Sequence, residues 1–195
     1  MRKLLWAGAL ILMMSLAAVA ADDVPSFEVF GGVSWFHLDT MKIPGVKSNY
    51  AGWDSEAQYN LNKFIGITAD IGGNYGRLQP NTPTVHEYTF VFGPTFSFRT
   101  EHSTIFAHTL FGANSENILN TAGASGAGSD TAFTMAWGGG LDIKINRTFA
   151  LRLGQLDWVY TRHDFSNLTV SGVPLTDHQN NLRYSGGIVI NFGEH

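Results

Sequence analysis

His108, His163 and His178, with Ser115, Ser166 or Ser171 as nucleophile, are the side chains of this sequence from which an acyl-transfer site could be assembled. Such a site needs a serine, a base and a carboxylate converging within hydrogen-bond reach. None of these residues sits in a local motif belonging to that chemistry, and histidines scattered in this way read as solvated surface. No catalytic residue is expected. His37, His86, His163 and His178 all fall toward one rim of the molecule, but no pair has the spacing of a known metal site, and there is no cysteine to supply thiolate. Neither a metal nor a cofactor is expected. What remains is a set of charges recurring at alternate positions within apolar segments: Glu56, Asp70, Arg99, Asp142, Lys144, Arg152, Asp157 and Arg183. Their chemistry is that of a polar network. Glu56, Asp70 and Asp157 are expected to meet Arg183 toward one end of the molecule, and Arg99, Asp142, Lys144 and Arg152 to lie toward the other. The network reads either as structural salt bridges or as the lining of a narrow path.

The elements that position these charges are strands. Period-2 alternation dominates, and no long window shows helical apolar spacing. Eight strands are expected, over residues 27–37, 52–60, 64–75, 86–99, 104–114, 131–146, 149–162 and 180–192. Most reach the roughly 9 to 11 residues that a tilted strand needs to cross a membrane. The connections alternate in length. Those at 61–63, 100–103 and 147–148 are tight, while those at 38–51, 76–85, 115–130 and 163–179 are long. Short turns on one rim and long loops on the other describe a barrel standing in a membrane. The run from Ala122 to Ser129 is too small and polar to pack, and mobility is expected there.

Residues 1–20 read as a secretory signal. Arg2 and Lys3 precede an apolar run from Leu4 to Leu16, and Ala18-Val19-Ala20 forms a small-residue cleavage motif. The run is shorter than the roughly 20 residues of a spanning helix. Residues 21–195 form one domain. Without cysteine the chain is neither a disulfide-stapled scaffold nor an acylated lipoprotein. A net charge of −4 gives no reason to expect nucleic acid as a partner.

Each strand presents two chemically distinct faces. Ile65, Ile67, Ala69, Ile71 and Tyr75 oppose Thr68, Asp70 and Asn74, while Trp53, Ala57 and Tyr59 oppose Asp54, Glu56 and Gln58. A soluble lipocalin-like barrel holding a small apolar ligand would show the same alternation turned inside out. Three features favour the apolar face outward. Its aromatics are bulky for an eight-stranded interior, which side chains already fill. They gather in two girdles: Trp35, Trp53, Tyr75, Tyr88, Phe133 and Tyr184 near the long loops, and Phe27, Tyr59, Phe98, Phe149 and Phe192 near the tight turns. The polar face carries small residues midway along, such as Gly93 and Gly138, as a crowded lumen favours. The fold class is therefore all-β, an eight-stranded antiparallel up-and-down transmembrane β-barrel. Two irregularities are expected: a bulge or local unpairing at Pro94, and a β-bulge at Leu153-Gly154 that keeps Gln155 and Asp157 inward.

Several segments carry a resemblance: Phe27-Glu28-Val29-Phe30-Gly31-Gly32, the hairpin from Tyr59 to Gly66, Phe92-Gly93-Pro94, the run from Ala136 to Asp142, and the closing stretch from Leu182 to Ile188. In this order the sequence resembles the outer-membrane protein A-type eight-stranded barrels. The resemblance covers their barrel domain and not the periplasmic peptidoglycan-binding domain of longer members. It implies residence in the cell outer membrane, contact with its lipid, and insertion by the barrel-assembly machinery, for which the strand ending at Phe192 resembles the signal. The expected function is a non-enzymatic structural barrel supporting envelope integrity, with long loops open to an external ligand. A narrow gated pore for small solutes or ions is the alternative.

Overall fold

The structure is a computed structural model in which residues 24–38, 49–77, 84–119, 128–162, 169–170, 173–174 and 178–194 are described. Eight long strands follow one another: β1 (Pro25–Leu38), β2 (Asn49–Asn60), β3 (Ile65–Arg77), β4 (Thr84–Arg99), β5 (Ser103–Leu119), β6 (Gly128–Lys144), β7 (Phe149–Arg162) and β8 (His178–Glu194). Each pairs antiparallel with its sequence neighbours, and β1 pairs with β8 from Pro25↔Glu194 to Leu38↔Asn181, closing the barrel. Closure leaves no open edge, the condition for a sheet to stand in lipid. The expected signal peptide at 1–20 and residues 122–127 of the small-residue run lie outside the described residues.

Two of the tight turns use the same local device. Asn62 Oδ1 accepts hydrogen bonds from the backbone N–H groups of Phe64 and Ile65, at 2.8 and 2.9 Å. Asn146 Oδ1 accepts from Thr148 and Phe149, at 2.9 and 2.8 Å. An asparagine that caps its own turn satisfies donors the ladder cannot reach.

The strands differ from the sequence reading mainly in being longer toward the loops. β5 continues to Leu119 and β6 begins at Gly128, so Gly128 and Ser129 belong to a strand. A small hairpin pairing Thr169–Val170 with Val173–Pro174 lies within the fourth long connection, which the sequence reading leaves as loop.

The two irregularities resolve differently. At Pro94 there is no bulge. The β4–β5 ladder lapses between Phe92↔Phe111 and Thr95↔His108 and resumes in the same register, while Pro94 still faces Ile67 on the β3 side. Proline removes one donor without adding a residue, so the register has no cause to slip. In β7, by contrast, Leu141↔Gly154 is followed by Asp142↔Arg152, and the ladder to β8 jumps from Ser185↔Gln155 to Gly187↔Arg152. One extra residue at Leu153 turns Leu153 and Leu156 outward while keeping Arg152 and Gln155 in.

The faces are as the alternation implies. Trp35, Phe98, Ile105, Phe133 and Ile188 are more than half exposed around the outside, whereas Thr68, Asp70, Asn114, Asp157 and Ser185 are fully buried within. A soluble ligand-binding barrel would carry the opposite arrangement. Trp137 and Trp158 pair across β6 and β7 with ring centroids 5.2 Å apart, part of an apolar band suited to acyl chains.

Candidate functional site

The chemistry of the molecule is concentrated in its lumen, which is layered. At mid-height Arg183 of β8 is fully buried and serves three carboxylates. Its Nε and Nη2 donate to Asp157 Oδ2 at 3.0 and 2.7 Å, and its Nη1 donates to Asp70 Oδ1 at 3.0 Å and Asp54 Oδ1 at 3.3 Å. Nη2 also pairs with the second Asp70 oxygen. Ser185 Oγ donates to Asp54 Oδ2 at 2.6 Å, and His108 Nε2 lies 2.9 Å from Asp157 Oδ1.

Arg152 forms a second centre one step toward the short turns. It donates to Glu56 Oε2 at 2.6 Å, Gln155 Oε1 at 2.5 Å and Asp142 Oδ1 at 2.8 Å. Its guanidinium lies between the rings of Phe30 and Phe106, 4.3 Å from each centroid, a doubled cation–π contact. Gln155 links the two centres, donating to Glu56 Oε1 at 2.6 Å and Asp157 Oδ2 at 2.9 Å. An isolated charge in such a place costs several kcal/mol, and this web of partners is what makes the burial tolerable.

Apolar layers bound the charges on both sides. Toward the loops, Phe36, Tyr50, Val91, Leu110, Ala136 and Val159 form one buried cluster. Leu110 and Val159 are the next inward positions beyond His108 and Asp157, so this layer sits directly over the charged one. Toward the short turns, Phe30, Ala150 and Val189 form another. Below it, Arg99 Nη2 pairs with Glu28 Oε1 at 2.6 Å, and Lys144 Nζ donates to the carbonyl of Thr100 at 2.6 Å. An open cavity of about 520 Å³ occupies the short-turn mouth beside Lys144, Arg147 and Asn191.

Of the charges singled out in the sequence, Asp70 and Asp157 meet Arg183, and Asp142 meets Arg152. Glu56 pairs with Arg152 instead of Arg183, because the tilt of the strands carries it to the lower centre. Arg99 and Lys144 stay at the rim, outside both centres. Asp54, Glu28, His108 and Gln155 complete the network and were not assigned to it from sequence, although each falls on an inward position of the alternation. His108 in particular is a buried partner of Asp157, and Ser115 is on the opposite face, accepting a hydrogen bond from Thr131 Oγ1 at 3.3 Å. These two therefore do not converge. His163, Ser166 and Ser171 lie outside the described residues, as does the side chain of His178. His37 contacts Asn49 Oδ1 at 2.6 Å, whereas His86 packs edge-on against Tyr75. Ligand atoms of Asp54, Glu56 and Asp70 lie within 4.8 Å of one another, but Arg183 and Arg152 already bond these carboxylates.

A closed barrel of eight antiparallel strands with a charged, buried interior and an apolar exterior has counterparts in shape. Ail, the attachment invasion locus protein of Yersinia pestis, aligns over 87% of this chain and 99% of its own with a TM-score of 0.59 at 14% identity. The fold is that of the small outer-membrane barrels. Neisserial surface protein A aligns over 86% of this chain and 97% of its own, with a TM-score of 0.59 at 13% identity. OprG from Pseudomonas aeruginosa aligns over 88% and 98%, with a TM-score of 0.51 at 11% identity. No family model matches the sequence, and no curated protein matches it. The likeness is therefore one of architecture, at 11 to 14% identity.

Proposed function

We propose that this outer-membrane barrel is non-enzymatic, contributes to the integrity of the envelope, and offers its long-loop end to external partners. The observation that supports the reading is the burial of the charged network inside the lumen. The charged layer around Arg183 and Arg152 lies between two apolar clusters, each buried, so the polar groups hold one another instead of lining a route through the molecule. Function then has to reside at the surface, and the loops are where such a scaffold varies without disturbing its pairing. Capture of an external ligand on this fold has a parallel in Ail, solved in complex with the heparin analogue sucrose octasulfate.

The test is conductance. Mature protein, refolded in detergent and shown to be heat-modifiable, is added to planar lipid bilayers, and silent insertion is the expected result. Steady unitary currents would replace this reading with a narrow pore. Lipid A from cells overproducing the protein is expected to keep its mass; a shifted mass would mean that the barrel acts on lipid.

A further inference from the structure

Glu87 on β4 and Glu116 on β5 stand directly opposite one another in the ladder. Both side chains are buried, on the loop side of the apolar layer. Like charges placed directly opposite repel, and a cation shared between them relieves the repulsion. Two neighbouring side-chain oxygens have no hydrogen-bond partner. Asn114 is fully buried; its Nδ2 donates to Glu87 Oε1 at 2.6 Å and Thr89 Oγ1 at 3.0 Å, and its Oδ1 has no hydrogen-bond partner. Tyr50 is 2% exposed, and its hydroxyl likewise has none.

The direction of Tyr50 follows from a glycine. Its ring, rooted on β2, lies over Gly76 of β3, where a Cβ would stand 1.3 Å from Cδ1. Gly76 pairs in turn with Val85 of β4. The ring thus crosses β3 toward the strands that carry the two glutamates.

We propose that Glu87, Glu116, Asn114 and Tyr50 form a binding site for one hard divalent cation of the calcium class in the outer mouth of the barrel. The donor set is all oxygen, with two carboxylates and an amide carbonyl, which suits calcium's flexible coordination by oxygen and water. The site differs from the Asp54, Glu56 and Asp70 group, where arginines already supply the positive charge. It does not depend on the envelope role proposed above.

The full mature chain, refolded in zwitterionic detergent, is stripped with chelator and titrated with calcium chloride by calorimetry. One saturable site is expected, filled by about millimolar calcium at the weakest. Terbium placed in the same site should luminesce through Tyr50 and be displaced by calcium. Glu87→Gln and Glu116→Gln should each weaken calcium binding by about tenfold or more, because ligand charge sets affinity. Glu101→Gln, at the opposite rim, should bind as the parent does. Tyr50→Phe should fold and lose most of the terbium signal, and it decides the matter where the glutamate variants fail to show heat-modifiable migration. The proposal is overturned if folded parent protein shows no saturable calcium binding, or if folded Glu87 and Glu116 variants bind unchanged. It is overturned equally if Tyr50→Phe leaves the terbium signal intact.

Discussion

His108 on β5 reaches Asp157 on β7 at 2.9 Å, across the whole width of β6, because the residue between them in both ladders is Gly138. A Cβ at that position would lie 1.9 Å from Asp157 Oδ1 and 2.4 Å from the carbonyl of Leu156. The missing side chain is thus the aperture through which a histidine and an aspartate two strands apart meet. Gly138→Ala should overpack this point and separate the pair, lowering stability by about 2 to 4 kcal/mol. Urea unfolding in detergent micelles, followed by tryptophan fluorescence, measures it. Gly31→Ala, where nothing lies within 4 Å of the added carbon, should stay within about 0.5 kcal/mol of the parent.

Among the described residues, Arg183 is the cation shared by Asp54, Asp70 and Asp157. Arg183→Met removes it and leaves three carboxylates facing one another, for an expected loss of about 3 to 5 kcal/mol. Arg183→Lys should recover little, since one ammonium cannot reproduce a planar fork reaching three partners. Adding Asp70→Asn and Asp157→Asn to the methionine variant should restore part of the loss. A variant with all three changes that is no more stable than Arg183→Met alone would mean that packing, not uncompensated charge, sets the cost.

How much of this was legible in the sequence depends on range. Alternation is local, so the two faces of β3 or β6 can be read from a dozen residues, and the β7 irregularity follows from having to place Arg152, Gln155 and Asp157 on one side. The partners of each charge are not local. Arg152 and Glu56 are 96 residues apart, Arg183 and Asp54 129, and their meeting is set by strand tilt and register around the closed barrel. That is why alternation alone sets Glu56 beside Arg183 when it bonds Arg152, and why it places Asp54 and Gln155 inward without naming their partners. His108 is illegible for a different reason: a histidine is ordinary on a surface, and the aperture at Gly138 becomes visible only when three strands are laid side by side. The loop-side ends of β5 and β6 were missed because mixed small and polar residues there read as loop, yet the ladder from Ser115↔Thr131 to Ile118↔Gly128 continues through them.

Ile71 on β3 and Ile188 on β8 face outward near the middle of their strands, each about half exposed. If lipid covers that band, arginine there must bring a charge into hydrocarbon. Ile71→Arg and Ile188→Arg should each disfavour insertion by about 2 to 4 kcal/mol, read as loss of the heat-modifiable species on refolding into vesicles. Insertion unaffected by both would contradict the assignment of the outer face.

The extra residue in β7 allows a test of register by deletion. Arg152 and Gln155 both point inward with two residues between them, where a regular strand would have one. Deleting Leu153 should therefore leave Arg152, Gln155 and Asp157 in the lumen and Leu156 and Trp158 on lipid, with folding retained at some cost from the lost bulge. Deleting Leu156 instead removes a residue from the regular part of the strand. Everything between that point and the loop then changes face, so that Asp157 would enter the membrane and Trp158 the lumen, or the pairing with β6 and β8 must break. Heat-modifiable folding is expected for the first deletion and not for the second. Equal behaviour of the two would show that the phase of β7 is not fixed by the bulge.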